Sequence, residues 1–90
     1  MNLKNAFAEI TRFLDSKNEW LLNHSSGKTF ALQRSEIEFS LERNKIIFAF
    51  LDEKGFQIWR VTDYKIENEK ITLDLTRNFE KEREKIRLVP

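Results

Sequence analysis

Residues 36–76 read EIEFSLERNKIIFAFLDEKGFQIWRVTDYKIENEKITLDLT, and turn signals divide this stretch into four strands. A tight turn at Arg43-Asn44 brings the apolar residues of the first two strands face to face. The predicted pairs are Leu41 with Ile46, Phe39 with Phe48, and Ile37 with Phe50. Glutamates and a serine alternate with the apolar residues of the first strand, which is typical of a strand buried on one face.

Two further turns carry the same apolar face through the rest of the stretch. At residues 52–55, Gly55 is predicted to take the left-handed position of a type I turn plus bulge, which aligns Phe50 with Ile58. A turn at Asn68-Glu69 gives the remaining pairs, Ile66 with Ile71 and Tyr64 with Leu73. Because a slip of one residue would move a strand's apolar set to the opposite face, this agreement predicts an antiparallel meander.

An amphipathic helix is predicted before the meander. Leu3, Phe7, Ile10 and Leu14 fall at i, i+4, i+7 and i+11, on one stripe of a helix. Asn2 is a suitable N-cap. A helix of this length is unstable alone, so its stripe is expected to pack on the meander. The predicted fold is α+β, with the N-terminal helix on one face of a curved antiparallel meander of four to six strands.

The segments on either side of the meander have weaker patterns. Trp20-Leu21-Leu22 fits a strand or a helical turn, and Phe30-Ala31-Leu32 fits another strand. Residues 78–85 fit a short helix capped by Asn78. As a strand, residues 80–85 instead place acids and bases on opposite sides, with Glu84 on the side of Ile86 and Leu88. The alternation of residues 86–89 favours a final strand that stops at Pro90.

Length and composition limit the classes of function. Ninety residues make one domain, 1–90, which is either complete or the N-terminal module of a longer protein. Sixteen basic and 15 acidic residues give a net charge of +1, so bulk charge does not favour nucleic acid or an anionic membrane. No apolar run is long enough to span a bilayer. The absence of cysteine excludes thiolate chemistry and fits a cytoplasmic location.

One short motif, next to the sole histidine, resembles part of a known chemical site. Ser26-Gly27-Lys28-Thr29 contains the Gly-Lys-Thr end of a phosphate-binding loop, but Leu22 stands where that motif needs its first glycine. His24 is the sole histidine, and an exposed position in the loop is expected for it. A polar loop is therefore the preferred interpretation of this segment.

Asp52 and Asp63-Tyr64-Lys65 follow the order of carboxylates and lysine in metal-dependent nucleases. That chemistry needs both carboxylates at one divalent ion. Asp52 lies at a hairpin turn and Asp63 well along the next strand, so the two carboxylates are expected to lie about 20 Å apart. The nuclease interpretation is therefore disfavoured, and no catalytic, cofactor-binding or metal-binding residue is predicted.

A second apolar face on the two central strands is the main functional signal. Its predicted residues are Ile47, Ala49, Leu51, Trp59 and Val61. Residues 19–34 or 78–89 fold over this face if it is plain core, which is slightly preferred. If it is exposed, it suits a protein partner, self-association or an adjoining domain.

The predicted function is a non-catalytic protein-interaction or accessory domain that uses the face around Trp59. The alternative is a nucleic-acid-binding module with Trp59 as an aromatic platform. Its basic residues are Arg60, Arg77, Arg83 and Arg87. A metal-dependent nuclease fragment is a second alternative. The near-neutral charge disfavours nucleic acid, and no membrane partner is expected.

Overall fold

One helix and a curled antiparallel sheet of seven strands make up residues 2–77 and 83–90, which the computed structural model describes. The helix is α1 (Leu3–Leu14). The strands are β1 (Glu19–His24), β2 (Thr29–Gln33), β3 (Glu38–Glu42), β4 (Lys45–Asp52), β5 (Gly55–Glu67), β6 (Lys70–Thr76) and β7 (Arg83–Val89). A 3-10 turn, Arg34–Glu36, joins β2 to β3. The strand order is β2-β1-β7-β6-β5-β4-β3, and the sheet curls into a half-barrel.

The prediction of an α+β fold with an antiparallel sheet is confirmed, but the sheet has seven strands in the described part of the chain. The additional strands are β1, β2 and β7. They extend the sheet at the β6 edge, because β7 pairs with β6 and β1 with β7. The slightly preferred expectation, that these segments fold over the second face of the meander, is therefore wrong for the described residues.

The final strand replaces part of a predicted helix. Residues 83–85 belong to β7, where they pair with β6, so the helical interpretation is wrong for them. Residues 78–82, including the predicted cap Asn78, lie outside the described residues. The predicted strand over residues 86–89 is confirmed.

Helix α1 packs its apolar stripe into the concave face of the half-barrel, beside β3 and β4. Asn2 caps it as predicted, since its side chain accepts a hydrogen bond of 3.1 Å from the backbone N–H of Asn5. At the other end, the indole Nε1 of Trp20 donates to the carbonyl of Leu14 at 3.0 Å. The helix is thus held to the sheet at its C-terminal end by a side chain of β1.

Two hairpin turns have the predicted register. Both residues of the Arg43-Asn44 turn and both of the Asn68-Glu69 turn have positive φ, between 46° and 63°. That conformation is the type I′ turn, whose twist suits a two-residue hairpin. The predicted pairs of Leu41 with Ile46, Phe39 with Phe48, Ile66 with Ile71, and Tyr64 with Leu73 are confirmed.

The predicted register of the third turn is wrong by one residue. Asp52 pairs with Gly55, so only Glu53 and Lys54 form the loop, and Ile58 lies opposite Ala49. Gly55 has the positive φ that was predicted, 122°, but it is the first residue of β5 and pairs with Asp52 instead of forming a bulge. The shorter loop reverses which residues of early β5 face the core.

A bulge in β5 restores the predicted pattern further along the strand. The pairing of β5 with β6 shifts between Val61 and Asp63. The extra residue returns Tyr64 and Ile66 to the concave side, opposite the buried residues Leu73 and Ile71. The wrong loop length and the unpredicted bulge therefore compensate, so the later part of β5 keeps its predicted face.

Candidate functional site

The predicted partner-binding residues are divided between the two faces of the sheet. Trp59 and Val61 lie on the concave face and are buried, with 2% and 3% of their surface exposed. Ile47, Ala49 and Leu51 lie on the convex face, because they alternate with the buried residues of β4. The grouping of Trp59 with these three residues is therefore wrong, and the one-residue register difference is the reason.

An apolar surface nevertheless exists on the convex face of β4 and β5. We call it the convex patch, and its residues are Ile47, Ala49, Leu51, Phe56 and Ile58. Leu51 lies directly opposite Phe56, and the two side chains are 65% and 49% exposed. Ile58, opposite the covered Ala49, is 47% exposed. Three large apolar side chains in contiguous positions are more than the isolated exposed residues that most surfaces carry.

Two charges of opposite sign border the convex patch. Exposed Glu38 on β3 pairs with Ala49, at the side of the patch. Exposed Arg60 follows Ile58 on the same face of β5 and pairs with Ile47, at the end of the patch away from the β4–β5 turn. Arg60 continues a row through Thr76 to Arg83, so positive charge extends toward β7.

On the concave face, Trp59 belongs to a polar cluster built around Glu84. The indole Nε1 of Trp59 donates to Glu84 Oε2 at 2.8 Å, and the Nε of Arg77 donates to the same oxygen at 3.1 Å. His24 Nε2 lies 2.8 Å from Glu84 Oε1. The guanidinium of Arg77 also lies 4.8 Å from the centre of the indole ring, which is a cation–π distance. The cluster thus joins β1, β5 and β7.

Glu84 is held ionised by these neighbours. Its partial burial would by itself raise the pKa, but the hydrogen bonds from Trp59 and His24 and the charge of Arg77 outweigh that effect. The net result is a pKa of Glu84 below its ordinary value of 4.5. Glu84 was predicted to share a side with Ile86 and Leu88 if residues 82–88 formed a strand. That alternation was the sequence signal for its inward position.

The predicted exposure of His24 is wrong. His24 is the last residue of β1, and its side chain is 14% exposed. Its Nδ1 accepts the backbone N–H of Ser26 at 3.0 Å and lies 2.8 Å from Ser26 Oγ. With Nδ1 accepting, the neutral ring carries its proton on Nε2 and donates it to Glu84. Sequence could not show this, because 60 positions separate the two residues.

The connection of Ser26, His24 and Glu84 resembles the order of groups in a catalytic triad. Two features indicate a structural role. The Nδ1 lone pair that would accept the Ser26 hydroxyl proton already accepts the backbone N–H of the same residue. Glu84 is also shared with Trp59 and Arg77, so it acts as the centre of a cluster rather than as the partner of one imidazole.

The topology does not support the two other motifs, the phosphate-binding loop and the nuclease carboxylates. Ser25–Lys28 forms the turn of the antiparallel hairpin β1–β2, whereas a phosphate-binding loop connects a parallel strand to a helix. Asp52 is at the β4–β5 turn, and Asp63 is at the bulge of β5, eight residues beyond Gly55. Within the described residues, no group of three histidine or carboxylate side chains is arranged to hold a metal ion.

The arginines of the nucleic-acid alternative do not form one surface. Arg60, Arg83 and Arg87 are exposed and occupy convex-face positions of β5 and β7. Arg77 points to the concave side, where it contacts Glu84, Gln57 and the Trp59 ring. Trp59 is buried and therefore offers no platform on which a base could stack.

Comparisons with known proteins add no assignment. No protein-family model matches the chain, and no curated protein or solved structure matches it. Among the described residues, no helix has both the length and the apolar character that crossing a membrane requires.

Proposed function

We propose that this domain is a non-catalytic interaction module that binds a second copy of itself through the convex patch. The observation that carries the proposal is the exposure of Leu51, Phe56 and Ile58 side by side on one sheet face. Covering such a patch with apolar surface is favourable, at about 25 cal/mol per Å² removed from water. The proposal includes a cytoplasmic location, which the lack of cysteine in the chain supports.

The described chain leaves the convex patch without an intramolecular cover. Residues 19–33 and 83–89 extend the sheet edge to edge, and α1 lies against the opposite, concave face. Because no described residue covers the patch, we expect an occupant from outside the domain to cover it.

The charges beside the patch suit a second copy related by a twofold axis. Glu38 and Arg60 lie two strands apart, on columns separated by about 10 Å. A twofold axis parallel to the strands and between β4 and β5 exchanges these two strands, so Leu51 lies over Phe56 of the second copy and Ile58 lies over its Ala49. Each Glu38 then lies about 5 Å to the side of the second copy's β5 and about 7 Å along it from Arg60, within reach of the long arginine side chain. The apolar patch therefore covers itself, as an isologous interface requires.

Sedimentation velocity over a range of protein concentrations tests the proposal. We expect the native domain to show a monomer–dimer equilibrium and the double variant Phe56→Thr/Ile58→Thr to remain monomeric. Threonine keeps the preference for a strand while it removes the apolar surface. Leu21→Thr is the matched control, because Leu21 is also an exposed apolar residue, 39% exposed, but lies on β1.

Charge exchange distinguishes a second copy from other occupants. Glu38→Arg or Arg60→Glu alone should weaken the dimer, and the two together should restore it, because the contact is reciprocal. A native domain that stays monomeric at all concentrations contradicts self-association. A dimer that persists in the double threonine variant shows that the interface lies elsewhere.

A further inference from the structure

Two hairpin turns line a cavity at one end of the half-barrel, and the cavity is open to solvent on one side. The β1–β2 turn contributes Lys28 and the β4–β5 turn contributes Lys54 to its lining. Partly buried Phe30 of β2 offers an aromatic wall, and it packs on the buried Phe50 of β4 with ring centres 5.2 Å apart. The cavity has a volume of ≈ 220 Å³, and a groove of ≈ 290 Å³ beside it shares Lys28, Phe30 and Lys54.

The volume of the cavity suits a small occupant. An apolar cavity of about 150 Å³ holds one benzene molecule, and sites for drug-sized ligands measure about 300–1,000 Å³. The cavity is therefore suited to one ring with a small substituent. The ring of Phe30 on β2 favours a planar apolar ring over a flexible chain.

The charges at the cavity favour an anionic substituent. Lys28, Lys54 and Arg77 line it, together with the carboxylates of Asp52 and Glu84 at or beside its walls. Asp52 accepts hydrogen bonds from the backbone N–H of Lys54 and from the Gln57 amide, and Glu84 accepts from three side chains. Arg77 offsets the charge of Glu84, but the donors to Asp52 are neutral, so three cationic and two anionic side chains leave a net charge of +1 at the cavity. No ion pair joins the ammonium groups of Lys28 and Lys54 to another described residue.

We propose that this cavity binds a small aromatic anion. The ring lies against Phe30, and the carboxylate or phosphate is bound by the ammonium groups of Lys28 and Lys54. The site lies on the concave side, at the end of the half-barrel, and is separate from the convex patch. The two proposals therefore have separate tests, although both need the observed register of the β4–β5 hairpin.

The two indole N–H groups provide a direct NMR readout, because the sequence contains two tryptophans. Trp59 lines the cavity, whereas the indole N–H of Trp20 donates to Leu14 at the end of α1 and serves as an internal reference. Titration with benzoate or phenyl phosphate, up to about 20 mM, should shift the Trp59 signal and leave the Trp20 signal in place. Benzamide, which is neutral, should bind at least about five-fold more weakly than benzoate.

Substitution of the two lysines tests the role of charge. Lys28→Gln/Lys54→Gln should raise the Kd for the aromatic anion at least about five-fold without unfolding, because both residues are exposed. Lys45→Gln is the matched control, since Lys45 and Asp52 stand at opposite ends of β4, about 23 Å apart. Preference for benzoate or phenyl phosphate identifies the head group, and either one supports the proposal. No shift of Trp59 with either anion, equal binding of benzamide, or unchanged affinity in the lysine variant would overturn it.

Discussion

The indole N–H of Trp59 donates a hydrogen bond of 2.8 Å to Glu84 Oε2, although their strands, β5 and β7, are separated in the sheet by β6. The bond crosses the inside of the curl, so it connects side chains that neighbouring-strand pairing does not bring together. With the contacts of Glu84 to His24 and Arg77, it fixes one end of the half-barrel. This end also contains the proposed ligand cavity.

Glu84→Gln should change how stability depends on acid pH. The pKa of Glu84 is lower in the folded protein than its ordinary value of 4.5, so the charged form stabilises the fold above that pH. This contribution is lost as the pH falls from 4.5 through the lower, folded pKa. Glu84→Gln should therefore be less stable than the native protein at neutral pH and lose less stability on acidification. Urea unfolding between about pH 3 and pH 7 measures the difference.

Glu67→Gln serves as the control for this pH series. Glu67 is exposed on β5 and pairs with Lys65 at the surface, where ion pairs contribute little. Its variant should keep the native stability at neutral pH. If Glu84→Gln also follows the native curve below pH 4.5, the hydrogen bonds assigned to its carboxylate are not formed.

Tyr64 should ionise at a higher pH than a free tyrosine. Its hydroxyl donates to Glu9 Oε2 at 2.7 Å, and this bond, with partial desolvation and the charges of Glu9 and Asp63, raises the pKa above 10.0. Because Tyr64 is the only tyrosine, the alkaline ultraviolet titration reports it alone. Glu9→Gln should lower the midpoint. Equal midpoints in the two proteins would show that the helix does not contact Tyr64 in this way.

Phe48→Ala should destabilise the domain by about 3–5 kcal/mol, which is much of the stability of a small domain. Phe48 is fully buried between the helix and the sheet. Phe56→Ala is the matched control and should change the unfolding free energy of the monomer by about 0.5 kcal/mol or less, because Phe56 is 49% exposed on the convex face. A large loss in Phe56→Ala at low protein concentration would indicate that Phe56 belongs to the core.

We expect weak or no binding of single-stranded or duplex nucleic acid at physiological salt. The arginines of that alternative are divided between two faces, and the net charge is +1. Fluorescence anisotropy with labelled oligonucleotides measures the affinity. Submicromolar binding that is lost in Arg60→Gln/Arg83→Gln/Arg87→Gln would favour a nucleic-acid function on the convex face.

The sequence predicted those elements whose signals are local. The helical stripe, its Asn2 cap and the two type I′ turns each depend on residues within a few positions of one another. The register at the turn 52–55 was predicted wrongly, because Gly55 suits either a two-residue loop or a bulged loop. Both loops keep a set of apolar residues on one face of the sheet. The observed register goes with the bulge between Val61 and Asp63, which lies far from the turn along β5.

The polar cluster could not be predicted because it depends on strand order. His24, Trp59 and Glu84 come from β1, β5 and β7, which meet only because β7 returns to lie between β6 and β1. The same arrangement explains why the segments expected to cover the second face extend the sheet. The hydrophobic alternation of a strand is the same whether the strand extends a sheet at its edge or packs over the face of the sheet. The sequence pattern therefore does not distinguish the two arrangements.

Both proposals depend on the pairing across the Glu53-Lys54 turn, so cross-strand nuclear Overhauser effects within the β4–β5 hairpin test the central claim most directly. Directly opposed residues in an antiparallel pair have Cα atoms about 4.5–5.5 Å apart, close enough for strong signals. The predicted result is that Ala49 contacts Ile58 and Phe50 contacts Gln57. Contacts of Phe50 with Ile58, with the Ile58 methyl groups near Phe48, would contradict it, because Trp59 would then lie on the convex face.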